Sequence, residues 1–208
     1  MSSAPEPSPL QPPRRRQALQ ERVAAAILEA AARVLAARGE QASMNDVAAA
    51  AGVARATLYR YFPSRQALLD ELARVAADEA GARLTSARVE ELAAEEGVRR
   101  AVRALIEVGD PFVVVARERV RPDPEQLERG VLEPLRRLFE QAQSAGEIRT
   151  DIPSSWLTDA LLGLVVSLLA ARPALGREDT IAVVSSLFLD GARPRPAAVP
   201  AQADVRAV

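Results

Sequence analysis

Apolar residues recur at helical spacing along nearly the whole chain, and no stretch alternates as a half-buried strand would. Leu19, Val23, Ile27, Ala30, Ala31, Val34 and Leu35 form one stripe, which predicts a helix over 17–38 closed by Gly39. Val47, Ala48 and Ala51 predict a shorter helix that starts near Met44 and stops at Gly52. A third runs over 54–62 with Leu58 and Phe62 turned inward. Leu68, Leu69, Leu72, Val75 and Ala76 carry a fourth over 65–84, a link between the N-terminal helices and the rest. Beyond it the pattern predicts helices over 95–108 and 112–120, the second containing the run Phe112-Val-Val-Val115. Further helices are expected over 125–145, 153–171 and 178–189, separated by Asp110-Pro111, Arg121-Pro-Asp-Pro124 and Gly146. The expected fold class is all-α, with a three-helix domain over 14–66 and a larger helical domain over 67–191. The Pro- and Ser-rich residues 1–13 and the Ala- and Pro-rich residues 192–208 are expected to be disordered tails.

The second and third helices carry the chemistry. Ser43, followed three residues later by Asp46, has the form of a capping box, which fixes where the second helix begins. Gly52 then turns the chain, and Val53 plugs the space between the two helices. Pro63 ends the third, and Ser64 is placed to cap the fourth. Two short helices joined by a tight turn form a helix-turn-helix, whose second helix enters the DNA major groove. Its outward face offers Arg55, Thr57, Tyr59, Arg60 and Tyr61, donors suited to base edges and phosphate oxygens. The expected DNA-facing set is Ser43, Arg55, Ala56, Thr57, Tyr59, Arg60, Tyr61 and Arg65. Within it Arg55, Thr57 and Tyr59 are expected at the groove, and Ser43, Tyr61 and Arg65 on phosphates. Arg14-Arg15-Arg16 reads either as a solvated cluster or as an arm on the DNA backbone.

Charge sharpens this picture. The chain is nearly neutral, but residues 1–66 hold 9 Arg against 5 acids and residues 67–208 hold 18 Arg against 23 acids. The positive excess therefore coincides with the helix-turn-helix. All 27 basic residues are Arg, a bias that fits a GC-rich coding background. The absence of Cys and His removes thiol chemistry, the common zinc ligands and imidazole catalysis, so no metal or cofactor is expected. Asp110 and Glu118 form a conceivable carboxylate pair, but nothing positions a substrate between them, and the reading is non-enzymatic. The longest apolar run, over 160–171, is short of a bilayer span, and the N-terminus lacks the pattern of a secretory signal. A cytoplasmic protein with no membrane partner is expected.

Asp46-Val-Ala-x-x-Ala-Gly52, Thr57-Leu-Tyr-Arg-Tyr-Phe62 and Ser64-Arg-Gln-Ala-Leu-Leu69 together resemble the DNA-binding domain of tetracycline-repressor (TetR) family regulators, over about a quarter of the chain. Tyr61 and Arg65 stand where many relatives carry His and Lys. The resemblance implies a homodimeric regulator that binds double-stranded DNA at an inverted-repeat operator. It also implies a C-terminal domain that takes a small-molecule effector, most simply as a repressor released by an apolar or amphipathic ligand. An activator, or a helical ligand- or protein-binding module without DNA binding, is the alternative. For the effector pocket the candidates are Leu105, Phe112, Val115, Phe139, Trp156 and Ala160. For a four-helix dimer interface built from the last two helices they are Leu157, Leu161, Leu164, Val165, Leu168, Ile181, Val184, Leu187 and Phe188, with Gly163 and Ser167 permitting close approach.

Overall fold

The computed structural model describes residues 12–171 and 175–194, and every regular element among them is helical. The elements are α1 (Pro12–Arg38), α2 (Met44–Ala50), α3 (Arg55–Tyr61), α4 (Arg65–Ala87), α5 (Ala94–Ile106), α6 (Asp110–Glu118), α7 (Pro124–Leu127), α8 (Glu133–Ser144), α9 (Ser154–Ala171) and α10 (Arg177–Ala192). Single 3-10 turns at Gly39–Gln41 and Val89–Glu91 complete the order. The chain divides into two compact units: residues up to Glu79 with Val108–Pro124, and Ala80–Glu107 with the residues from Glu125 onward.

The first unit is built on α1. Ile27, Ala31 and Leu35 meet Val47 and Ala48 of α2, Leu58 of α3, and Leu68, Leu69 and Leu72 of α4 in one buried cluster. α6 belongs to this unit, since Val114 enters the same cluster and Arg117 Nη1 donates to the Ala36 carbonyl of α1 at 2.8 Å. α1 begins at Pro12, earlier than the expected residue 17. Pro12 and Pro13, expected in the disordered tail, occupy a first turn whose N–H groups need no intrahelical partner. Residues 1–11 and the expected tail from 195 lie outside the described residues.

In the second unit α10 packs on α5, and α8 packs on α9 and α5. The Phe139 and Phe188 rings meet at 5.3 Å, tilted by 38°. Arg103 of α5 holds Glu178 of α10 in a bidentate pair at 2.7 and 2.6 Å. The single helix expected over 125–145 is continuous over Pro124–Ser144, but a π-helical segment breaks its α-type hydrogen-bond ladder. Residues Glu128–Leu132 adopt π-helical bonding, with the Glu133 N–H reaching back to the Glu128 carbonyl. Pro134 explains the break: it has no N–H for the Gly130 carbonyl, and its ring crowds that carbonyl. Gly130 lies against Gly81 so closely that a Cβ on Gly81 would stand 3.0 Å from the Gly130 Cα.

Candidate nucleic-acid interface

Local chemistry assembles α2 and α3 as a rigid pair. The Asp46 N–H donates to Ser43 Oγ at 3.2 Å, while the Ser43 N–H and hydroxyl donate to Asp46 Oδ2 at 2.9 and 2.6 Å, completing the capping box. Arg38 Nη1 adds an ion pair to Asp46 Oδ1 at 2.8 Å. The Ser43 hydroxyl, the Ser43 N–H and the Arg38 charge together hold the Asp46 carboxyl below its ordinary range. Gly52 adopts φ +66°, the left-handed conformation that closes α2 and that a side chain would strain. α3 follows with Ala54 as N-cap and Phe62 as C-cap, and Leu58 is its only buried side chain. Burial of Leu58 fixes which face of α3 points outward. Ser64 Oγ then accepts from the Ala67 N–H at 3.1 Å and starts α4.

The outward face holds Arg55, Ala56, Tyr59 and Arg60 exposed, with Thr57 half-buried at its edge. Tyr61 is half-buried and packs against the cluster of the first unit. Ser43 is exposed, but its hydroxyl is engaged in the capping box, so a phosphate there meets a hydroxyl already donating to Asp46. Arg65 stands apart from the expected set. Its Nη2 donates to Glu118 Oε1 of α6 at 3.0 Å and to the Gly39 carbonyl at 3.4 Å, and its Nη1 is buried without a partner. In this arrangement Arg65 staples α6 to the start of α4. Sequence reading singled out neither Glu118 in this role nor Arg38. Arg65 and Glu118 are 53 positions apart, with no local signal joining them.

The family model described as bacterial regulatory proteins, tetR family, matches residues 27–72, from the middle of α1 into α4. Over 106 residues the chain is 39% identical to the HTH-type transcriptional repressor LfrR of Mycolicibacterium smegmatis, a match covering 50% of this chain and 56% of that protein. The sequence match thus spans about half the length of that curated relative. The solved structure of LfrR in complex with proflavine superposes with a TM-score of 0.67 at 29% identity, covering 83% of this chain and 97% of that one. Residues 27–72 are thus similar to the DNA-binding part of tetR-family regulators, and the chain as a whole shares their fold. A tetR-family regulatory protein from Rhodococcus RHA1, at 20% identity and a TM-score of 0.69 over 84% of this chain and 98% of that one, shares the fold. These relatives are regulators and not enzymes.

The remaining candidate residues are redistributed by the structure. Phe112 and Val115 lie on α6 in the first unit. The other four pocket candidates lie in the second unit, where Leu105 and Phe139 are fully buried, Trp156 is 70% exposed and Ala160 is exposed. Leu105 and Phe139 fill core, and the indole of Trp156, expected inside, stands outside. Of the interface candidates, Leu157, Leu161 and Val165 of α9 and Ile181, Val184 and Phe188 of α10 are buried within the protomer. Leu164 and Leu168 are half-buried and Leu187 is exposed. α9 is apolar nearly all round, with a mean hydropathy of 1.6 over its 18 residues, of which 22% are buried. Its i, i+4, i+8 stripe goes inward, and Trp156, Ala160, Gly163 and Ser167 form a second stripe facing out. Val183 and Leu187 of α10 are also exposed.

Proposed function

We propose that this chain is a homodimeric transcriptional repressor that binds an inverted-repeat operator through α3 and is released by a small apolar or amphipathic effector. The observation carrying the reading is the outward face of α3, where arginines, tyrosines and a threonine lie together on a short helix oriented by the buried Leu58. Arg55, Thr57 and Tyr59 read base edges, with Ala56 allowing close approach to the groove floor. Arg60 and the region around Ser43 meet phosphates. The repressor sign follows LfrR, and proflavine, held by the solved LfrR structure, is the first effector to try. The role places the protein with DNA in the cytoplasm.

Dimerisation is supported by the apolar faces of α9 and α10 that one protomer leaves uncovered. A two-fold dimer presents two copies of α3, so its operator holds two half-sites one helical turn or a small multiple apart. The test is selection of bound duplexes from a random pool by purified protein, followed by titration at rising salt. An enriched inverted repeat whose binding weakens steeply with salt is expected, because phosphate contacts release counterions. No enrichment at low salt leaves a helical binding module without DNA, and enrichment of a repeat that raises transcription in a reporter makes the protein an activator.

A further inference from the structure

α3, with the sequence Arg-Ala-Thr-Leu-Tyr-Arg-Tyr, carries no acidic residue, and its two arginines are partnered differently from most others in the chain. Elsewhere guanidinium groups are held by carboxylates, as in Arg74 with Glu71, Arg100 with Glu96 and Arg137 with Glu133. On α3 the partners are rings. Arg55 Cζ lies 5.3 Å from the centroid of Tyr59 and Arg60 Cζ lies 5.4 Å from that of Tyr61, and neither has a carboxylate partner among the described residues. The difference matters for a donor that must recognise something else. A carboxylate holds a guanidinium by consuming its N–H groups, whereas a ring face attracts the cation through its quadrupole and leaves all five N–H groups free in the guanidinium plane. Arg55 and Tyr59 are four residues apart, the spacing that stacks side chains on one stripe of a helix. Tyr59 is 36% exposed, so the ring and the guanidinium laid on it both stand on the outward face of α3.

We infer that Tyr59 is a specificity-determining positioning residue, whose ring holds the Arg55 guanidinium in a fixed orientation for bidentate recognition of a guanine edge. The inference rests on the DNA reading proposed above and assigns Tyr59 a different part in it: its aromatic face acts on Arg55, and its hydroxyl need not touch a base. A long, freely rotating arginine loses conformational freedom when it docks on guanine O6 and N7. One already laid on a ring loses less, and that advantage is specific to the base pair Arg55 reads.

Single-base variants of the selected operator, competed at one salt concentration against wild type, Arg55→Ala, Tyr59→Phe, Tyr59→Leu and the Arg55→Ala/Tyr59→Leu double variant, test this. Arg55→Ala flattens the preference at one base pair. Tyr59→Leu is expected to flatten the same base pair by about two- to five-fold, the equilibrium equivalent of an exposed cation–π contact, with no further flattening in the double variant. Tyr59→Phe, which keeps the ring, retains the preference there whatever it does to overall affinity. Equal flattening by Tyr59→Phe and Tyr59→Leu, or flattening by Tyr59→Leu at another base pair, overturns the inference and makes the hydroxyl a DNA contact. A second readout needs no DNA: the Arg55 side-chain protons of the full chain carry an upfield ring-current shift in wild type and Tyr59→Phe that Tyr59→Leu loses. Its absence in wild type overturns the stack. If wild type selects no duplex the DNA reading fails and takes the inference with it, whereas a selected operator read equally well by Tyr59→Leu defeats the inference alone.

Discussion

Leu187 offers a quantitative test of the proposed dimer. It sits on α10 with 59% of its surface exposed, on a helix whose inward positions Val184 and Phe188 are already buried within the protomer. Full burial of a Leu side chain is worth about 1.5–3 kcal/mol, so with 59% still exposed about 1–2 kcal/mol per copy remains to be gained. A two-fold interface uses the residue twice, so Leu187→Ala should cost the dimer about 2–4 kcal/mol, a rise of about 30- to 1,000-fold in its dissociation constant. Sedimentation equilibrium over a wide concentration range measures that constant directly. Leu19→Ala serves as the control, because Leu19 is 63% exposed but lies on α1 in the other unit, and it should leave the constant unchanged. Gly163→Ala supplies a change of opposite sign. Apart from its chain neighbours and the nearby backbone of α9, nothing lies within 4 Å of an added Cβ, so on a solvent-facing helix the substitution stabilises the fold by about 0.5–1 kcal/mol. Where a second helix packs closely against that position, the added methyl instead weakens association by about 1–3 kcal/mol. The expected outcome is a protomer of higher melting temperature that dimerises less tightly. A protein that stays monomeric at high concentration, or a dimer indifferent to both Leu187→Ala and Gly163→Ala, refutes this placement of the interface.

Leu58→Ala should destabilise the first unit by about 2–5 kcal/mol in chemical denaturation, since Leu58 is the fully buried side chain of α3; an unchanged midpoint would mean that α3 is held by something else. Ser43→Ala should lower stability by about 1 kcal/mol in thermal melts at neutral pH through loss of the α2 cap. Because the Asp46 carboxyl is held below its ordinary value of 3.8 chiefly by Ser43, its contribution is present above that value and fades as the pH drops through the lowered one. The difference between wild type and Ser43→Ala should therefore narrow on acidification below about 3.8, and a gap that widens there contradicts the assignment. Arg65→Ala and Glu118→Ala should be non-additive by about 0.5–3 kcal/mol in a double-mutant cycle of unfolding free energies, since each removes the same contact. Strict additivity would return Arg65 to the set of free phosphate donors.

What could be read from the sequence divides by the range over which the determining interaction acts. The α2–α3 pair was legible almost residue by residue because its signals are local: a Ser and an Asp three apart, a glycine at a turn, a proline after the last helical residue. Interactions between distant positions were not. Arg65 and Tyr61 both look like phosphate donors in sequence, yet one is occupied by Glu118 and the other is half-buried against the core. The π-helical break at 128–132 had a local cause in Pro134, but the spacing of Leu127, Val131, Leu135 and Leu138 continues across it, and periodicity alone read straight through.

α9 shows the limit of periodicity most plainly. A helix with one apolar stripe declares its buried face, but one that is apolar nearly all round gives two competing stripes, and composition does not rank them. Leu157, Leu161 and Val165 are large and regularly spaced, which suits an interface and a core equally, and they are buried within the protomer. A lone Trp usually finds a partner for its indole, which favours an interior place for Trp156, yet it lies outside on the second stripe with Ala160, Gly163 and Ser167. Leu157, Leu161 and Val165 are buried within the protomer, and on the outward stripe beyond Trp156 stand Ala160, Gly163 and Ser167, small residues that let two helix backbones approach closely. Close approach makes contact area sensitive to single methyl groups, which is why one added carbon at Gly163 should separate a solvent-facing helix from a helix–helix contact.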